Sequence, residues 1–91
     1  MDKTALAFLK SLMATPTPSG YEQPGQKIVA AYMKTQGAEV RTDVHGNVHG
    51  ILNRGGKLRV MFAGHCDEIG LMVMHVDEKG FVAFTNIGGV N

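Results

Sequence analysis

The chain of 91 residues has no tryptophan, only three prolines, and a single cysteine, Cys66, so no disulfide can close within it. A lone thiol agrees with a reducing compartment. No stretch approaches the roughly 18 apolar residues needed for a membrane-crossing helix. Met1-Asp2-Lys3-Thr4 begins neither a charged n-region nor the apolar block of a secretion signal. A cytoplasmic protein that stays out of membranes is expected. An excess of charge of either sign is also missing: nine Lys and Arg against eight Asp and Glu leave a formal charge of +1. Without the basic stripe that phosphate backbones demand, nucleic acid is not an expected partner. With 44% hydrophobic and 19% charged residues the composition is globular, and so short a chain is one domain or part of one.

What is present is a change of period along the chain. Leu6, Leu9, Leu12 and Met13 recur at helical spacing after Asp2 or Thr4 as a cap, and Thr15-Pro16-Thr17-Pro18 must end that helix. Ser19 and Glu22 have the spacing of a capping box, and Ile28, Val29, Tyr32 and Met33 form an apolar stripe closing before Gly37. Strand patterns follow at 38–42, 47–52, 57–64, 70–76 and 81–85, separated by His45-Gly46, Asn53-Arg54-Gly55-Gly56 and Asp77-Glu78-Lys79-Gly80. The predicted class is α/β: two amino-terminal helices packed on a mixed sheet, plus a β-hairpin from Gly70 that begins a second, β-rich domain. The expected division is 1–69 and 70–91.

The chemistry concentrates in Ala63-Gly64-His65-Cys66-Asp67-Glu68-Ile69-Gly70. In extended backbone alternate side chains share a face, so His65 and Asp67 project together with Cα atoms roughly 6.5 Å apart. A metal-binding histidine usually donates its second ring N–H to a carboxylate, which fixes the tautomer and raises basicity. The four apolar residues Val60-Met61-Phe62-Ala63 before the motif predict a strand covered on both faces. Ligands of open α/β sheets gather at the carboxyl ends of such strands. The plainer alternative is that His65 is a polar residue at a strand end.

Other candidates are weaker. His45 and His49, four apart, would share a zinc-binding helical face, but Gly46, Asn47 and Gly50 argue for a turn and a strand. Asp43-Val44-His45-Gly46-Asn47 reads as a turn, with Asp43 and Asn47 as structural support beneath the site. Cys66 beside His65 suggests a thiol nucleophile, yet adjacent strand residues diverge, and a buried inert cysteine is the favoured reading. Glu68 is open between a carboxylate near a metal, a general base and a solvated charge. His75 in 71–76 is read as the polar member of a half-exposed strand. Nothing in Asp67-Glu68 matches the two flanking carboxylates of glycoside hydrolysis.

Pro18-Ser19-Gly20-Tyr21-Glu22, Asp43-Val44-His45-Gly46-Asn47-Val48-His49-Gly50, Gly64-His65-Cys66-Asp67-Glu68-Ile69-Gly70-Leu71-Met72-Val73 and Ile87-Gly88-Gly89, in that order, resemble the start of the dinuclear-metal aminopeptidases that assemble as tetrahedral particles. These include deblocking and glutamyl aminopeptidases, and some members are labelled endoglucanases. The resemblance covers nearly the whole chain. It implies an exopeptidase that removes amino-terminal residues from peptides with two zinc or cobalt ions, and a homo-oligomer built partly through the β-rich domain. By the same resemblance His65 would ligate a metal and Asp67 would orient it. The remaining carboxylate ligands, the general-base glutamate and the second histidine fall downstream of anything matched here. One imidazole is short of the three protein ligands of catalytic zinc, so the chain alone is expected to hold at most one weak partial site and to be inactive. The alternative is a non-catalytic interaction or oligomerisation module derived from such an enzyme. Cys66 stands where many relatives have methionine, and Val90-Asn91 departs from their usual pattern.

Overall fold

The computed structural model describes residues 2–90. Helix α1 spans Lys3–Met13, and the Asp2 carboxylate accepts the Ala5 N–H at 2.8 Å as its N-cap. Asp2→Ala leaves that N–H unpaired and should cost the helix about 1 kcal/mol, read as a loss of far-ultraviolet ellipticity at fixed temperature. The Thr15 hydroxyl closes the last turn on Ser11 O at 2.9 Å, and Pro16 prevents further winding. Helix α2 spans Gln23–Thr35 and stops at Gly37, whose φ of 79° is the left-handed conformation expected there.

The predicted capping box does not form. Glu22 is the N-cap of α2 without a side-chain cap bond; its Oε1 instead accepts the Gly20 N–H at 2.6 Å. Ser19 lies too far before Gln23, and its hydroxyl is committed elsewhere.

Strands β1, Glu39–Thr42, and β2, Val48–Ile51, pair antiparallel with Thr42 opposite Val48. Helix α2 lies on this ribbon with Met33 passing close over Gly50, where an added Cβ would come within 2.7 Å of Met33 Sδ and the thioether would have to shift. Helix α1 packs on α2 through the stacked rings of Phe8 and Tyr32, whose centroids are 4.1 Å apart. Strands β3, Gly70–Val76, and β4, Val82–Ile87, form a second antiparallel hairpin. Its register slips between Val73 and His75, leaving a bulge.

The α/β class therefore holds, but the sheet is divided. In place of one mixed sheet the described residues form two two-stranded antiparallel ribbons, and among them the predicted strand over 57–64 is an unpaired segment with Phe62 95% exposed. The reason is physical: a strand forms only where a neighbour takes its N–H and C=O groups and an apolar layer covers its face. Among the described residues neither exists for Val60-Met61-Phe62-Ala63. His75 likewise lies on a strand open on both faces rather than half-covered.

No hydrophobic side chain among the described residues is fully enclosed. The radius of gyration, 17.4 Å, compares with about 12 Å for a compact domain of this length. The β3–β4 hairpin packs on no helix among the described residues.

Candidate functional site

What ties the hairpin end to the helices is a short clasp. Thr17 is 3% exposed, and its hydroxyl donates to Cys66 O at 2.8 Å. The Glu68 N–H donates to Thr17 O at 2.9 Å, the Ser19 N–H donates to Glu68 O at 3.3 Å, and Pro18 and Glu68 form a parallel bridge. Glu68 Oε1 also accepts the Thr17 N–H at 3.3 Å. Its carboxylate is thus turned onto the backbone of the α1–α2 connection, as a strut.

Held in this way, residues 65–67 bring together the pair the alternation predicts. His65 Nδ1 lies 2.8 Å from Asp67 Oδ1, and the Asp67 backbone carbonyl is a second, longer acceptor at 3.2 Å. An ionised carboxylate only accepts hydrogen bonds, so it takes the proton on Nδ1, and in the neutral ring Nε2 then keeps its lone pair. The imidazole is 85% exposed, so Nε2 is open to an incoming cation. The Ser19 hydroxyl donates to the other carboxylate oxygen, Asp67 Oδ2, at 2.6 Å. These two bonds, Ser19 first and His65 second, hold the Asp67 carboxyl below the usual carboxylate range, so it remains the anion that the imidazole needs.

Asp43 organises the neighbouring turn. Its Oδ1 accepts the N–H groups of His45 and Asn47, each at 2.9 Å. Its Oδ2 accepts the Asn47 side-chain amide at 2.9 Å and lies 3.3 Å from His49 Nε2. Gly46, at φ 91°, allows the chain to reverse. His45 is tied to Asp43 through its backbone and His49 through its ring, and among the described residues they belong to no metal-holding cluster. The Asn47 amide above all, then His49 and the backbone donors, pull the Asp43 carboxyl far below its ordinary value. A depressed folded pKa means the turn's stabilisation is complete above the unfolded value of about 3.9 and disappears only as pH falls through the lower folded value. The amide signals of His45 and Asn47 should therefore stay shifted at about pH 3, where an unpartnered aspartate is mostly protonated.

A cleft of about 190 Å³ lies between this turn, the start of α2 and the motif, with His45, Asn47, Glu22, His65 and Asp67 on its walls. Burial, reinforced by the Asp67 charge, pushes the half-buried Cys66 thiol up. That is the opposite of an activated nucleophile. A larger cavity of about 390 Å³ is lined by Phe8, Val29, Tyr32, Met33 and Leu52. It carries no chemistry and is the incompletely filled space between the helices and β1–β2.

Among the described residues no three His, Cys, Asp or Glu side chains converge as a metal-holding group. The donor set fits one ligand position, an oriented imidazole, and no more. Ser19 is the site residue the sequence did not disclose, because its bond to Asp67 spans 48 positions and its local spacing with Glu22 imitates a cap.

Residues 46–91 match the family described as M42 glutamyl aminopeptidase. The lysyl aminopeptidase of Pyrococcus furiosus is 40% identical over 84 residues, covering 91% of this chain and 24% of that protein. The crystal structure of a TET aminopeptidase from the marine sediment archaeon Thaumarchaeota archaeon SCGC AB-539-E09 superposes with a TM-score of 0.82 at 32% identity, over 96% of this chain and 25% of that one. The chain thus spans about a quarter of the length of the relatives it matches. With the family match extending through the turn after Gly46, the His65 motif and the hairpin, the chain belongs to the M42 glutamyl aminopeptidase family.

Proposed function

We propose that this chain supplies part of the site of a metal-dependent aminopeptidase that hydrolyses amino-terminal residues from peptides, and that it is inactive by itself. The observation that carries the reading is the His65–Asp67 pair, with Nδ1 tied at 2.8 Å and Nε2 open. His65 is the metal ligand, and Asp67 fixes its tautomer and heading. Asp43 and Asn47 hold the adjoining wall of the cleft, and Glu68 braces the backbone of the motif. In the completed enzyme two divalent ions, zinc or cobalt, would lower the pKa of a bound water from about 15.7 to near 7 and polarise the peptide carbonyl. No step of that reaction can be assigned to this chain beyond holding and orienting one imidazole.

Residues 1–69 are then part of the catalytic domain, and 70–91 begin an inserted β-rich domain. The hairpin's separation from the helices supports that division. The relative that is a TET aminopeptidase supports a homo-oligomer, and the single, non-activated thiol accords with a cytoplasmic setting. The test compares the 91-residue chain with a chimera in which it replaces the matching quarter of the P. furiosus enzyme. With zinc or cobalt added, the chimera should release amino-terminal residues from short peptides and the chain alone should not. An inactive but well-folded chimera would count against the reading.

The unpaired 57–64 segment and the open edges of both ribbons favour a second reading, a non-catalytic module that binds itself or longer relatives. A folded monomer by light scattering that ignores its relatives would rule this out.

A further inference from the structure

An aspartate held by a single partner is poorly fixed, because its terminal torsion is broad and nearly two-fold. In a bare His-x-Asp pair the carboxylate could turn away from the imidazole into water with little hindrance. Here the second oxygen is taken. Ser19 Oγ donates to Asp67 Oδ2 at 2.6 Å while Oδ1 stays 2.8 Å from His65 Nδ1.

Ser19 is itself held. Its N–H donates to Glu68 O at 3.3 Å, and the preceding turn of chain is anchored by Thr17, whose hydroxyl reaches Cys66 O at 2.8 Å and whose carbonyl accepts from Glu68 N–H at 2.9 Å. The clasp sets the backbone of the α1–α2 connection beside that of the motif, and the serine hydroxyl is the group it delivers to the carboxylate.

We propose that Ser19 is a positioning residue for the His65 site: its hydroxyl locks the Asp67 carboxylate so that His65 is kept in the Nδ1–H tautomer with Nε2 presented to a divalent cation. This deepens, and rests on, the reading of His65 as a metal ligand. Ser19 touches neither cation nor substrate; it acts through Asp67. A serine that only strengthened the clasp would alter stability without altering the imidazole.

The deciding measurement is the ¹⁵N spectrum of the neutral His65 ring in the 91-residue chain. Ser19→Ala removes the hydroxyl but keeps the backbone clasp, so the amide signals of Thr17 and Glu68 should remain in place. The ratio of Nδ1–H to Nε2–H tautomer should fall about threefold, the scale of one modest hydrogen bond. Ser19→Thr, which keeps a hydroxyl, should restore it. An unchanged ratio in Ser19→Ala, or a loss that Ser19→Thr fails to repair, overturns the proposal.

In the chimera, zinc affinity should fall roughly tenfold in Ser19→Ala, as when an outer partner of a metal-bound histidine is lost, and recover in Ser19→Thr. If His65→Ala abolishes zinc binding while Ser19→Ala leaves it unchanged, the serine's role is refuted and the ligand assignment stands. If neither variant affects zinc, the ligand assignment fails, and the tautomer ratio alone decides whether Ser19 positions the ring.

Discussion

In the aminopeptidase chimera, His65→Ala should lower zinc affinity and the rate of amino-terminal release by more than about 100-fold, since losing merely an outer partner of a metal-bound histidine costs 10- to 100-fold. The fold around the site should survive, because the imidazole is exposed and the Thr17 clasp that holds the motif's backbone does not use it. Asp67→Ala should have a smaller effect, within that 10- to 100-fold range. It leaves the ligand in place, with the backbone carbonyl of residue 67 still 3.2 Å from Nδ1, but removes the carboxylate from the ring and leaves the Ser19 hydroxyl without its acceptor. The order of the two losses is informative. If Asp67→Ala were the more damaging, the carboxylate would be touching the metal directly rather than orienting the imidazole. Metal analysis after dialysis, together with peptide release, separates these outcomes.

Gly25→Ala should destabilise the 91-residue chain although alanine is the better helix former. Gly25 is buried in the first turn of α2, and an added Cβ would fall inside van der Waals contact of Thr17 Cγ2 and 3.4 Å from Leu12 Cδ1. Thr17 cannot simply rotate away, because its hydroxyl is engaged by Cys66 O. Helix propensity contributes about 1 kcal/mol in favour of alanine, whereas overpacking a tight contact costs about 1–3 kcal/mol. Because this contact is far tighter than real Cβ contacts, the overpacking cost lies in the upper part of its range, and the net change is a loss of up to about 2 kcal/mol. Because no apolar side chain is fully enclosed, even a small loss takes a large share of the stability. Urea unfolding should show a lower midpoint, and the amide signals of Cys66 and Glu68 should shift as the clasp moves. Gly55→Ala, where an added Cβ meets nothing within 4 Å, is the control and should stay within about 0.5 kcal/mol. A higher midpoint for Gly25→Ala would mean that Thr17 is not fixed in place.

The elements that local chemistry specifies were legible in the sequence. Asp2 with its helical leucines predicts α1, the Ile28 to Met33 stripe with Gly37 predicts α2, and the strand over 70–76 coincides with β3. The alternation that sets His65 and Asp67 on one face predicts their contact. What could not be read depends on groups distant in the chain. Ser19 and Glu22 have the spacing of a capping box, but spacing is silent about a stronger acceptor 48 positions away, and Asp67 wins the hydroxyl. Val60 to Ala63 have a strand's composition, yet composition cannot supply the neighbour that makes a strand. Thr17, a polar residue between two prolines, gave no sign that it would be the buried centre of the clasp.

Crystallography of the zinc-loaded chimera with anomalous scattering tests the assignment most directly. Zinc should lie about 2.0–2.1 Å from His65 Nε2, with Nδ1 still facing Asp67 and the Ser19 hydroxyl on the other carboxylate oxygen. A zinc peak elsewhere, with His65 Nε2 facing only solvent, would contradict it.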